Sequence, residues 1–276
     1  MGNAANRTVR VMGILNLTDD SFFAGSRILR ADGSFDSGLF RSRADEMLAS
    51  GADILDLGAC STRPGSDSVS EEEEWKRLEP ALNILASEYP GARISIDTFR
   101  PEVVSRAFDV VGPFIVNDVS GGCARMWSLL GRLRLPYVAM HSRGTPKNMQ
   151  SLTDYDDVTA AVRSFFEEIA AEAYRYGVDD WILDPGFGFA KTVEQNWQLL
   201  REMSVLKEFG KPILVGLSRK SFLFKPLGIT PSEALTATQI ADFAALQNGA
   251  DILRVHDVPE ALRTLRLYRL YHGLES

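Results

Sequence analysis

Short apolar runs alternate with longer amphipathic stretches along the whole chain. Eight runs stand out, at 9–17, 53–58, 93–97, 114–119, 136–141, 181–184, 212–217 and 251–256. Each is aliphatic or β-branched and nearly continuous, without the alternating polar positions of a half-exposed strand. Continuous apolar strands are buried on both faces, as in parallel sheets covered by helices.

The stretches between them read as helices. Ser70-Glu71-Glu72-Glu73 has capping-box spacing, and Leu78, Leu82 and Leu85 continue it at helical intervals. Residues 158–174 and 196–209 are amphipathic, and Pro101 suits a first helical turn. The pentapeptide Gly-Ala-Asp-Ile-Leu occurs twice, at 51–55 and 249–253, each time between a helical pattern and a strand. Its glycine fits a left-handed helix cap, so the pair reads as an internal echo of a βα unit.

Eight strands alternating with helices predict an α/β fold, a (β/α)8 TIM barrel, as one domain over 1–276. A doubly wound open sheet is the rival. Its first strand commonly ends in a glycine-rich phosphate turn, and Asn16-Leu17-Thr18-Asp19-Asp20-Ser21 is not glycine-rich.

Composition narrows the function. The 276 residues are 45% hydrophobic and 24% charged, an ordinary globular balance. Lys and Arg number 30 against 37 Asp and Glu, a net charge of −7. That balance argues against a general nucleic-acid binder, but not against a small anion held by a few cations in one cleft. Two cysteines, Cys60 and Cys123, imply no disulfide framework or zinc site and read as inert small residues. No run is long enough to span a membrane, and the N-terminus lacks a secretory apolar region, so a reducing, cytoplasmic setting is expected.

The strand ends carry the candidate chemistry. They bring Asn16, Asp56, Asp97, Asn117, His141, Asp184, the Ser218-Arg219-Lys220-Ser221 stretch, Arg254 and His256. In a barrel these ends share one mouth, where active sites lie. Asp97, Asn117 and Asp184 suit the N–H and C=O edge of a nitrogen heterocycle. Arg63, Lys220, Arg254 and His256 suit phosphate or carboxylate. Both sets together fit a flat polar ring with an anionic group. Structural roles compete: Asp97 can cap the helix near Pro101, Asp184 can start a turn at Pro185, Asn117 can bond backbone, and His141 reads as a satisfied core histidine. Lys220 opens a helix, where a cation opposes the dipole, and this favours function. Gly186-Phe187-Gly188-Phe189 lacks the third glycine of a nucleotide fingerprint.

Several motifs together resemble the dihydropteroate synthase family, the sulfonamide targets of folate biosynthesis. They are Met12-Gly13-Ile14-Leu15-Asn16-Leu17-Thr18, Ser61-Thr62-Arg63-Pro64-Gly65, Ser95-Ile96-Asp97-Thr98, Val116-Asn117-Asp118, Met140-His141, Leu183-Asp184-Pro185-Gly186-Phe187-Gly188-Phe189, Ser218-Arg219-Lys220-Ser221 and Arg254-Val255-His256-Asp257. They recur in order and interval over nearly the whole chain. The resemblance implies a homodimeric barrel enzyme that uses Mg2+. It condenses 6-hydroxymethyl-7,8-dihydropterin diphosphate with p-aminobenzoate, giving 7,8-dihydropteroate and diphosphate. It further implies that Asp97, Asn117, Asp184 and Lys220 bind pterin, with Asp97, Asp184 and Lys220 catalytic. Thr62, Arg63, Arg254 and His256 would contact diphosphate; Pro64, Phe189 and Ser221 would form the p-aminobenzoate pocket; Asn16 would bind the metal.

Two positions depart from the family pattern: Asp19 stands where proline is common, and Ala59-Cys60 where Gly-Glu is common. Alternatives are a non-catalytic pterin-binding paralogue and a barrel passing a methyl group from methyltetrahydrofolate to a corrinoid protein. The second has no use for the cationic set.

Overall fold

The computed structural model of the protein describes residues 8–18, 28, 34–61 and 69–274. Eight parallel strands form the inner ring: β1 (Arg10–Asn16), β2 (Ile54–Gly58), β3 (Ile94–Asp97), β4 (Ile115–Asp118), β5 (Tyr137–Met140), β6 (Trp181–Asp184), β7 (Leu214–Val215) and β8 (Ile252–Val255). They pair in the order β6-β5-β4-β3-β2-β1-β8-β7, and a parallel bridge between Leu183 and Ile213 joins the two ends. Every apolar run of the sequence contributes its strand. The seventh strand, Leu214–Val215, is shorter than its run.

The helices surround this ring: α1 (Ser37–Ser50), α2 (Glu71–Glu88), α3 (Pro101–Val111), α4 (Ala124–Leu133), α5 (Val158–Tyr176), α6 (Val193–Glu202), α7 (Ser221–Phe224), α8 (Leu235–Gln247) and α9 (Val258–Tyr271). Ser70 caps α2 through a 3.2 Å bond from the Glu73 N–H, and Leu78, Leu82 and Leu85 are buried. The amphipathic stretch 196–209 is two pieces, α6 and a 3-10 turn over Met203–Phe209. α6 starts earlier than the apolar pattern suggests because Thr192 and Gln195 cap each other reciprocally, at 3.2 and 2.9 Å. Lys220 does precede a helix, but α7 has four residues, too short for a strong dipole argument.

The repeated pentapeptide does the same work twice. Gly51 and Gly249 sit at φ 103° and 105°, a left-handed conformation that glycine adopts without a Cβ clash. Asp53 then accepts the Val11 N–H at 2.7 Å, and Asp251 the Ile213 N–H. Each aspartate thus ties the start of its strand to a neighbouring strand.

Inside the ring the side chains form layers, as in other (β/α)8 barrels. Met12, Ile54, Val138, Ile182, Leu214 and Ile252 make an apolar floor. Above it the strands turn polar. No described helix is long and apolar enough to cross a membrane.

Candidate active site

Strand register sets the rim of the mouth. Asn16 pairs with Gly58, Gly58 with Asp97 and Asp97 with Asn117, so one row crosses four strands. Register partners in a parallel sheet point the same way. Gly58 is the gap in the row: a Cβ there would lie 3.5 Å from the Asp97 Cβ and 3.7 Å from the Asn16 Oδ1.

Below the rim lies an ionic layer. Arg254 on β8 donates through Nε to Asp56 Oδ2 at 2.7 Å and through a terminal nitrogen to Asp97 Oδ2 at 2.9 Å. Asn117 reaches the same Asp56 carboxylate through Nδ2, at 3.3 Å. Asp56 is 0% exposed, and these partners satisfy its buried carboxyl oxygens. Sequence reading noted Asp56 as a strand-end aspartate but gave it no role. Its signal was a carboxylate inside the otherwise aliphatic Ile54-Leu55-Asp56-Leu57 run.

The cationic and acidic sets are therefore interleaved, not separate. Arg254 belongs to the diphosphate set by resemblance, yet here it bridges two carboxylates of the ring-facing layer. The two carboxylates outweigh burial and hold its guanidinium above the ordinary value. Burial pushes the Asp97 carboxyl up to about 7; Arg254 pulls it down and Asp56 adds to the rise. Asp97 does not cap α3, whose N-cap is Arg100.

Asp184 has a structural bond as well, accepting the Gly186 N–H at 2.8 Å. Burial raises its carboxyl, against the pull of nearby Lys220. Burial also pushes the Lys220 ammonium down to about 8, with Asp184 resisting. Lys220 donates to the Phe187 carbonyl and lies 4.9 Å from the Phe189 ring centre. His256 Nδ1 sits 3.1 Å from the Ser218 hydroxyl. His141 is buried and bonded to Lys191, as a core histidine should be.

One cleft is lined by Asn16, Asp97, Phe189, Lys220, Ser221, Arg254 and His256. Asn117 and Asp184 reach the same groups through Asp56 and Lys220. Thr62, Arg63, Pro64 and Asp19 lie outside the described residues. Cys60 lines the cleft, and burial raises its thiol pKa, ahead of a contribution from Glu74. It is therefore a poor nucleophile.

Among the described residues no group of three His, Cys, Asp or Glu side chains is arranged to hold a metal ion. Asn16 offers the mouth a hard amide oxygen. That suits Mg2+, which keeps several waters and takes oxygens from a substrate phosphate rather than a protein cage.

Comparison with known proteins gives a consistent result. The family model described as "Pterin binding enzyme" matches residues 12–256. A dihydropteroate synthase of Synechocystis sp. is 43% identical over 253 residues, which is 90% of this chain and 85% of that protein. The Yersinia pestis dihydropteroate synthase, solved with a sulfonamide drug, superposes with a TM-score of 0.88 at 34% identity, covering 97% of this chain and 95% of that one. The Thermus thermophilus enzyme, solved with 4-aminobenzoate, gives a TM-score of 0.82 at 37% identity, covering 95% and 94%.

Proposed function

From the premise that the chain belongs to the dihydropteroate synthase family of pterin-binding enzymes, we propose a division of labour within its barrel mouth. The activity is the condensation of a dihydropterin diphosphate with p-aminobenzoate, a transferase reaction. Asp97, Asn117 and Asp184 take the polar edge of the pterin, and Lys220 donates to its ring carbonyl. Arg254 and His256, with Thr62 and Arg63, take the diphosphate. Phe189, Ser221 and Pro64 form the p-aminobenzoate pocket.

The observation that carries this reading is the charge of the mouth. Asp56 and Asp97 converge on Arg254, and Asp184 is drawn on by Lys220, Arg254 and Lys191, so acidic and basic groups are matched beneath the ring. In the proposed route the methylene C–O bond breaks and its electron pair leaves with diphosphate. Positive charge spreads into the dihydropterin, where Asp97 and Asp184 stabilise it through ring N–H donors. The aryl amine nitrogen then forms the C–N bond and loses a proton to solvent. No covalent enzyme intermediate is needed; positioning and fixed charges supply the acceleration. Mg2+, held through Asn16 and the diphosphate oxygens, would neutralise charge on the leaving group.

The test is incorporation of labelled p-aminobenzoate into dihydropteroate by the purified protein, with release of diphosphate. Asp97→Ala should lose about tenfold to a hundredfold in turnover, the value of one charge-assisted hydrogen bond, while circular dichroism stays native. Pterin binding with no incorporation by the parent protein would instead identify a non-catalytic paralogue.

The proposal extends to a cytoplasmic homodimer. α8 exposes Ile240, and α9 exposes Leu267, Leu270 and Tyr271, large apolar side chains that a second copy would cover. Light scattering showing a monomer at micromolar concentration would remove that part.

A further inference from the structure

The Gly186-Phe187-Gly188-Phe189 turn is built around a lysine of its own. Lys191 is 4% exposed. Its ammonium faces three acceptors: the Gly186 carbonyl at 2.9 Å, the Phe189 carbonyl at 3.1 Å and His141 Nδ1 at 3.0 Å. Three acceptors match the three N–H donors of its ammonium form, which burial disfavours, lowering its pKa to about 7 against the pull of Asp184. His141 can accept only as a neutral ring with Nδ1 bare. Burial and the nearby cations Lys191 and Arg143 keep it so, pushing its pKa down to about 2.

The backbone is shaped for this arrangement. Gly186 lies at φ 69°, and a Cβ on it would sit 1.8 Å from the His141 carbonyl oxygen and 3.4 Å from the Lys191 ammonium. Asn196 holds the Gly188 N–H at 2.6 Å and donates to the Thr192 carbonyl at 2.6 Å. The Phe187 carbonyl, between the two that Lys191 binds, accepts Lys220 instead. One turn is thus gripped by two lysines, Lys191 from the buried side and Lys220 from the cleft. An apolar side chain would fill the buried position without desolvating a charge. What the ammonium adds is a fixed direction for two carbonyls.

We propose that Lys191 is a positioning residue for the aryl-amine subsite: it fixes the Gly186 and Phe189 carbonyls, and through that turn the Phe189 ring. The proposal rests on the assignment of Phe189 to p-aminobenzoate.

The experiment compares Lys191→Met, Lys191→Ala, His141→Leu and His141→Asn with the parent enzyme. Asparagine carries its amide oxygen near the place of Nδ1, so it restores the acceptor that leucine removes. Lys191→Met and His141→Leu should lose at least about tenfold in kcat/KM for p-aminobenzoate, chiefly through KM. Calorimetric binding of pterin diphosphate without p-aminobenzoate should shift by less than about threefold, and His141→Asn should keep about the parent kinetics. Lys191→Ala should recover activity with methylammonium but not with tetramethylammonium, which has no N–H to donate.

Kinetics for Lys191→Met within about twofold of the parent would overturn the proposal. So would equal losses for both substrates that track a lowered melting temperature, with no rescue by methylammonium or by His141→Asn. If Lys191→Met fails to fold, the His141 pair and the methylammonium response decide. A parent protein that never incorporates p-aminobenzoate removes the premise; parent turnover with unresponsive variants removes only the role of Lys191.

Discussion

Arg254 donates to Asp97 across 2.9 Å from a position 157 residues further along the chain. The same guanidinium also holds Asp56. A cation assigned to a leaving group is therefore the counter-ion of the carboxylates that face the ring. Under the proposed reading, bound diphosphate would share Arg254 with Asp56 and Asp97.

Asp56 should be a stability residue as well as a site residue. Asp56→Ala removes one of Arg254's two carboxylates and the acceptor of Asn117. Breaking a buried ion pair typically costs about 3–5 kcal/mol; with Asp97 still in place, a loss near the lower end is expected. Urea denaturation should show a lowered midpoint, and turnover should fall because Arg254 and Asn117 lose their anchor. An unchanged midpoint would show that this ionic layer does not support the fold.

Arg254→Met should separate the two halves of the pterin substrate. Affinity for the diphosphate-bearing pterin should fall by about tenfold to a hundredfold, the value of a charge-assisted bond. Affinity for a pterin lacking diphosphate should change much less. Calorimetry with both ligands checks this, and equal losses would contradict the anion role.

Lys220 sets a basic limit. Its pKa is pushed from 10.5 down to about 8, so the ammonium is lost as pH rises through that value. The kcat/KM for pterin diphosphate should therefore fall above about pH 8. Lys220→Arg, charged throughout the range, should flatten that limb even if it lowers the plateau. Stability has the opposite sign. Between about 8 and 10.5 the unfolded chain binds more protons at this residue than the folded one, so its contribution to stability grows with pH there.

Metal removal should affect turnover and not the fold. A chelator should suppress incorporation of p-aminobenzoate, and added Mg2+ should restore it. The melting temperature of the protein without substrate should stay constant, because the described residues form no protein cage for the ion. A large drop in melting temperature with chelator would point to a structural metal.

The barrel was legible from the sequence because two-sided burial makes each strand an unbroken apolar run, and eight such runs leave little choice of fold. The Gly-Ala-Asp-Ile-Leu repeat was equally legible, since a helix cap and a strand start are local events. Helix starts were less so: α6 begins at a Thr192–Gln195 capping pair ahead of its apolar pattern. Strand ends named Asn16, Asp97, Asn117, Asp184, Lys220, Arg254 and His256 as candidates, because all strands of a barrel finish at one mouth. Which of them touch depends on how far each strand is shifted against its neighbours. That register is set by packing over the whole ring, so only the folded molecule pairs Arg254 with Asp56 and Asp97. The same reason hid Lys191. A lysine one residue past Ala190 carries no local sign that its ammonium folds back under its own loop to meet a histidine fifty positions earlier.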